Sequence, residues 1–195
     1  RTRAAAEAFC AALPGAEPVV ADRNGDLASV LAATRPDLVI DAAGPFQGSG
    51  YDVPRACIEA RIPYLDLADG RDFVAGIVAL DAAARAAGVP IVAGVSSVPA
   101  LSGAVVRHLA AGMERVTRVE IAISASNRAT AGTSVASAIL AYVGRPVRVW
   151  RGGRWIRSFG WQDLRRERMR LRSGPDLGPR WLALADVPDL ALLPG

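Results

Sequence analysis

The chain has 195 residues, of which 51% are hydrophobic and 22% are charged, a composition that excludes an intrinsically disordered protein. Its 23 basic residues, all of them arginine, exceed the 19 acidic residues and give a net charge of +4. No apolar run reaches the roughly 20 residues of a transmembrane helix, and no signal-peptide pattern opens the chain. We therefore expect a cytoplasmic protein without a transmembrane segment.

The first half of the chain alternates helices and strands at short intervals. Helical patterns cover residues 3–13, 26–34, 51–61 and 78–87. Strand patterns cover residues 17–22, 37–43, 63–67 and 89–93. The strand 37–43 is apolar along its length, which indicates a strand covered on both faces. This alternation predicts a doubly wound parallel sheet with helices on both sides.

The second half of the chain has a different pattern. Helices are predicted from Pro99 to about residue 112 and over 133–143, and a long alternating strand over 116–126. Further strands are predicted over 147–151, 154–159, 165–172 and 180–187. The first two of these form a hairpin on the turn Gly152–Gly153. The change of pattern divides the chain into an α/β domain, residues 1–95, and an α+β domain, residues 96–195.

Small and polar residues follow three predicted strands directly. The three turns are Gly44–Gly50, Ala68–Arg71 and Gly94–Ser97. In doubly wound sheets, ligands bind beyond the carboxyl ends of the strands, and glycine lets a ligand approach the backbone closely. Taken alone, each such turn is explained without a ligand, because turns of this kind need glycine and the helix that follows needs Asp or Ser at its N-cap. Three consecutive turns of this kind favour a ligand crevice.

The segments Asp37–Gln47 (DLVIDAAGPFQ), Tyr64–Gly70 (YLDLADG) and Gly94–Ser102 (GVSSVPALS) resemble the saccharopine dehydrogenase-like NAD(P)-binding family. The resemblance implies a Rossmann domain over residues 1–95 and a mixed α+β substrate domain over 96–195. The Gly-x-Gly-x-x-Gly turn that opens the family's first βαβ unit is not found in the sequence. By this resemblance, residues 1–195 lack that unit, and we expect them to bind cofactor weakly or not at all when isolated.

The same resemblance implies an NADP-dependent oxidoreductase that transfers a hydride to or from a small-molecule or acyl substrate. Arg1 falls where a cation would meet the 2′-phosphate of NADP, although a solvated terminal arginine explains it equally well; NAD is the alternative cofactor. The implied cofactor-binding residues are Arg1, Asp22, Ala42, Ala43, Gly44, Pro45, Phe46 and Ser96. The implied substrate-binding residues are Asp66, Asp69 and Ser97. Helix capping is the alternative role for both aspartates, and the sequence assigns neither a catalytic residue nor a metal site.

Positive charge is concentrated in residues 145–172, which hold ten arginines against Asp163 and Glu167. A two-residue turn pairs Trp150 with Trp155 and Arg148 with Arg157 on one face of the hairpin. This face is either solvated, with arginine stems covering the tryptophans, or a subunit interface that forms a homodimer, or a surface for an anionic partner. Nucleic acid is the least favoured partner. The alternative function is accordingly a non-catalytic, Rossmann-derived binding protein that uses this arginine-rich sheet.

Overall fold

The protein is a mixed α/β structure, seen here in a computed structural model that describes residues 2–124, 136–137, 140–170 and 176–194. The helices are α1 (Arg3–Cys10), α2 (Leu27–Thr34), α3 (Asp52–Glu59), α4 (Arg71–Gly76), α5 (Asp81–Ala87), α6 (Ser102–Ala110) and α7 (Asp189–Leu192). The strands are β1 (Val39–Asp41), β2 (Tyr64–Asp66), β3 (Ile91–Val92), β4 (Pro146–Arg151), β5 (Arg154–Phe159), β6 (Arg165–Arg170) and β7 (Asp176–Leu182). Among these elements, no helix is both long and apolar enough to cross a membrane.

The residue contacts divide the chain into two compact units. The first comprises Arg1–Val39, Tyr51–Tyr64 and Leu80–Ile91. The second comprises Ile40–Gly50, Leu65–Ala79 and Val92–Gly195. The functional boundary expected near residue 95 stays a prediction.

In the first unit, three short helices pack around a small apolar centre. Helix α3 contacts both α2 and α5, and its Cys57 is fully buried. Asp26 caps α2, because its Oδ1 accepts a hydrogen bond of 3.0 Å from the amide of Ser29. The helices predicted over 26–34 and 51–61 are confirmed, and the one over 3–13 ends earlier, at Cys10.

The three strands β1, β2 and β3 form a parallel sheet in that order. The amide of Val39 donates to the carbonyl of Pro63 at 2.9 Å, and the carbonyl of Asp41 accepts from the amide of Leu67 at 3.1 Å. From the first bond to the second, the residue number increases on both strands, as it does in a parallel pair. The predicted parallel strands at 37–43, 63–67 and 89–93 are confirmed, each with shorter bounds.

One face of this sheet is open, which corrects the prediction that β1 is covered on both sides. The side chain of Ile40 is 59% exposed, and Val92 in β3 is also exposed. The opposite face carries Asp41 and Asp66, which are buried. An apolar run in a sequence shows only that a strand can be buried. Burial on both faces also requires another element packed against each face.

Two other predicted strands are wrong over the residues that the structure describes. Residues 17–22 and 116–124 have no strand structure, and their apolar side chains, such as Val19 and Ile123, are exposed. A strand requires a hydrogen-bonded neighbour, and no described strand pairs with either segment. Residues 125 and 126, and the proposed start of the helix over 133–143, lie outside the described residues.

The glycine-turn hairpin is confirmed. Strands β4 and β5 pair antiparallel, with Arg148 opposite Arg157 and Trp150 opposite Trp155, in the predicted register. Gly152 and Gly153 both have positive φ, as the two-residue turn requires. The strands β6 and β7 also pair antiparallel, and β7 begins before the predicted range of 180–187.

The turn after β3 leaves no room for a side chain at Gly94. Gly94 has φ of +76°, and a Cβ atom built there would lie 2.7 Å from Cδ of Pro99. We expect Gly94→Ala to lower the free energy of unfolding by about 2–3 kcal/mol, because both the backbone conformation and the contact oppose a side chain. Urea denaturation measures this change.

Gly103, in the first turn of α6, is the matched control. A Cβ atom there meets nothing within 4 Å, so Gly103→Ala is expected to stabilise the helix by about 0.5–1 kcal/mol. Equal stability of Gly94→Ala and wild type would contradict this account of the turn.

Candidate ligand site at the carboxyl ends of the parallel strands

Two aspartates end neighbouring strands and turn the chain in the same way. Oδ1 of Asp41, the last residue of β1, accepts a hydrogen bond of 2.9 Å from the amide of Ala43. Oδ1 of Asp66, the last residue of β2, accepts one of 3.0 Å from the amide of Ala68. A side-chain oxygen that binds the amide two residues later is a common way to begin a turn. The sequence places both aspartates at strand ends, but the role of Asp41 was missed.

Asp66 also joins the second turn to the third. The same Oδ1 accepts a hydrogen bond of 2.7 Å from the amide of Gly94, and the carbonyl of Asp66 accepts one from Val95. The side chain is 0% exposed. The carboxyl group of Asp66 is thus enclosed and positions two turns, and its contact with substrate stays a prediction.

The first and second turns touch through Phe46 and Gly70. A Cβ atom at Gly70 would lie 3.2 Å from the carbonyl of Phe46, so this close approach of two backbones favours glycine. The Phe46 ring is buried against Phe73, with 5.2 Å between ring centroids. Phe46 thus supports the turn through its packing on Phe73, and its contact with a cofactor stays a prediction. Beside it, Nε2 of Gln47 donates to Oδ1 of Asp69 at 3.1 Å.

The exposed part of the site consists of small residues. Ala42, Ala43 and Pro45 are exposed and Gly44 is half-buried, so the first turn presents small residues at its surface. In the third turn, Oγ of Ser96 donates to the carbonyl of Val98 at 2.7 Å, while Ser97 is exposed. The structure thus brings together the predicted residues of all three turns.

The remaining two predicted cofactor residues are Asp22 and Arg1. Asp22 belongs to the first unit, where its Oδ1 accepts a hydrogen bond of 3.0 Å from the amide of Asn24 within a local turn. Arg1 lies outside the described residues. The involvement of both in cofactor binding stays a prediction.

Arg71, at the start of α4, is the main residue that sequence reasoning missed. Its side chain is 9% exposed, and Nη1 donates to the carbonyl of Arg148 at 2.7 Å and to Oδ1 of Asp186 at 3.1 Å. Nη2 donates to the carbonyl of Leu190 at 3.3 Å, and the guanidinium carbon lies 5.5 Å from the ring centroid of Trp155. The second turn is thereby fixed to β4 and to the segment around α7. The only sequence signal was a basic residue directly after Gly70.

A second buried contact anchors the same segment. Oγ of Ser102, at the start of α6, donates a hydrogen bond of 2.6 Å to Oδ1 of Asp189, at the start of α7. Both residues are buried. The two positions are 87 residues apart in the chain, which is why no local pattern indicates the contact.

The pKa of Tyr142 is shifted by its surroundings in the second unit. Partial burial, followed by the negative charges of Asp69 and Asp186, raises the pKa of its phenol above the ordinary value near 10. The phenol therefore holds its proton more firmly than an exposed tyrosine does. Sequence reasoning did not find Tyr142.

Chemically, the site is suited to binding and orientation. Its exposed atoms belong to the backbone and to small side chains. Its buried carboxyl groups accept hydrogen bonds from the backbone amides of the turns. Within the described ranges, no group of three or more His, Cys, Asp or Glu side chains is placed to hold a metal ion.

No protein-family model matches the chain, and no curated protein matches it. The likeness to the saccharopine dehydrogenase-like family therefore rests on the sequence segments alone.

Removing the Arg71 side chain tests how far the second unit depends on it. We expect Arg71→Gln to lower the free energy of unfolding by about 2–3 kcal/mol, since it leaves a partly buried carboxylate and two carbonyls without their donor. The exposed pair Arg85–Asp81 provides the control, and Arg85→Gln should change stability little. Urea denaturation of the two variants gives the comparison, and equal midpoints would contradict the role of Arg71.

Titration of Tyr142 tests its surroundings. Because the pKa of the folded form is raised, the unfolded chain loses this proton first as the pH rises. The contribution of Tyr142 to stability is therefore present below about pH 10 and is lost as the pH rises through the pKa of the folded form. The difference in tyrosine absorbance between wild type and Tyr142→Phe should show one group that titrates above pH 10.

The charge of Asp69 supplies the control for this titration. Asp69→Asn should bring the pKa of Tyr142 back towards its ordinary value, and Asp163→Asn should not. A Tyr142 midpoint at or below pH 10 in the wild type would contradict the assigned surroundings.

Proposed function

We propose that this protein is an NADP-dependent oxidoreductase, similar to the saccharopine dehydrogenase-like enzymes, that transfers a hydride to or from a small-molecule or acyl substrate. The observation that carries the proposal is the joining of three consecutive turns at the carboxyl edge of a parallel sheet by Asp66, Phe46 and Gly70. This edge is where doubly wound sheets bind nucleotides. The proposal includes a Rossmann arrangement for the parallel sheet and its helices.

The first turn fits a nucleotide cofactor. Ala42, Ala43 and Pro45 are exposed and small, so a ribose can approach the backbone there without displacing a side chain. We assign the nicotinamide ribose to this turn and the space beside Ser96 to the nicotinamide end. Arg1, by its position in the family pattern, favours NADP over NAD through the 2′-phosphate.

Hydride transfer depends on holding two reactants in a fixed geometry more than on a strong acid or base. The bound nicotinamide supplies or accepts the hydride. The chain's own contribution is to orient: the amides bound by Asp66 and the close approach at Gly70 fix the turns. The exposed side chains of Asp69 and Ser97 are the groups we assign to the substrate.

Cofactor titration tests the proposal. The protein is expressed from its complete gene, and binding of NADPH and NADH is followed by the fluorescence of the reduced nicotinamide. We expect NADPH to bind more tightly than NADH. Ala43→Leu should weaken NADPH binding by about tenfold or more, because the added side chain fills the place of the ribose.

The matched control is Ala82→Leu, the same substitution at an exposed position of α5. It should bind NADPH as the wild type does. Absence of binding of either cofactor at about 1 mM, the upper end of the usual KM range, would overturn the oxidoreductase proposal and favour the non-catalytic binding protein.

A further inference from the structure

The outward face of the β4–β5 hairpin carries a row of three cross-strand pairs. These are Pro146 with Phe159, Arg148 with Arg157, and Trp150 with Trp155. The other face of the same strands holds Val147 and Val149, which are buried. The row is therefore the face that the hairpin presents outward, and an arginine pair lies at its centre.

Two like charges directly opposite each other oppose strand pairing unless an anion or an aromatic ring lies between them. The same hairpin contains a second such pair, Arg151 with Arg154, where Asp163 lies 3.3 Å from Arg151. Among the described residues, no carboxylate lies within ion-pair distance of Arg148 or Arg157. Within the part of the chain that the structure describes, the pair Arg151–Arg154 thus has a counterion and the pair Arg148–Arg157 has none.

Trp155 orients one of these guanidinium groups. The guanidinium carbon of Arg148 lies 4.9 Å from the ring centroid of Trp155, a cation–π contact that holds the group over the ring. Arg71 approaches the same ring, but its charge is compensated by Asp186. Arg148 is therefore pre-positioned, with its N–H donors available to a ligand.

Charge and the number of acceptor oxygens favour a phosphoryl group over a carboxylate as the ligand of the two arginines. The charge of a carboxylate compensates one guanidinium, and its two oxygens match one guanidinium fork. A phosphate monoester carries about two negative charges at neutral pH and three terminal oxygens. It can therefore accept hydrogen bonds from both forks and neutralise both arginines at once.

Apolar rings flank the arginine pair on both sides. Phe159 is 38% exposed and Trp150 is 43% exposed, on the same face as the arginines. Exposed aromatic side chains beside arginine are typical of binding surfaces. They offer an apolar support for the organic part of a phosphate ester, which inorganic phosphate cannot use.

We propose that Arg148 and Arg157, flanked by Trp150 and Phe159, form a binding site for the phosphoryl group of an aromatic or apolar phosphate ester. This site goes beyond the proposed oxidoreductase function and does not depend on it. The proposed ligand of the arginine-rich sheet is therefore a small phosphate ester and not a nucleic acid.

Calorimetric titration with phenyl phosphate and with inorganic phosphate, at low ionic strength, tests the site. We expect phenyl phosphate to bind more tightly than inorganic phosphate. Arg157→Gln should weaken its binding about tenfold, the effect of losing a charge-assisted hydrogen bond. Arg157 is exposed, and removing one of two like charges does not threaten the fold.

Arg154→Gln is the matched control, with the same loss of charge three residues away on the same strand and on its other face. Its binding of phenyl phosphate should stay within about twofold of wild type, because Arg154 is not part of the site. Equal losses in both variants would reduce the effect to general electrostatic attraction and overturn the proposal. Equal affinity for the two probes, or no measurable binding of phenyl phosphate, would also overturn it.

Discussion

The carboxyl group of Asp66 is the contact on which the carboxyl edge of the parallel sheet depends. It is wholly buried, and one of its oxygens accepts hydrogen bonds from the amides of Ala68 and Gly94. A buried carboxyl group costs free energy unless such bonds compensate for lost hydration. Because the two amides belong to different turns, separating the turns would leave this group uncompensated. A surface of small residues can therefore keep a fixed shape at this edge.

Arg71 extends the same constraint to the rest of the second unit. It follows Gly70 directly, and its donors reach the carbonyls of Arg148 and Leu190 as well as Asp186. The second turn thus approaches Phe46 through Gly70 and is held to β4 through Arg71. Rigid turns suit a reaction whose rate depends on orientation. The hairpin that Arg71 supports presents Arg148 and its partner on the outward face.

Features determined by neighbouring residues were predictable, and those determined by distant contacts were not. The Gly152–Gly153 hairpin was predicted with its register, since turn length alone fixes the pairing. The strands expected over 17–22 and 116–124 were wrong because alternation shows a suitable side-chain pattern and not a partner strand. The three predicted turns contact one another in the structure, but burial of Phe46 and the contacts of Arg71 join segments that no local pattern connects.

The central claim is that the three joined turns bind the cofactor, and amide hydrogen exchange with and without NADPH tests it most directly. The measurement uses the protein expressed from its complete gene and compares protection along the second unit. We predict that NADPH slows exchange in Ala42–Gln47, Ala68–Arg71 and Gly94–Ser97. Unchanged exchange in all three turns while NADPH is bound would contradict the account.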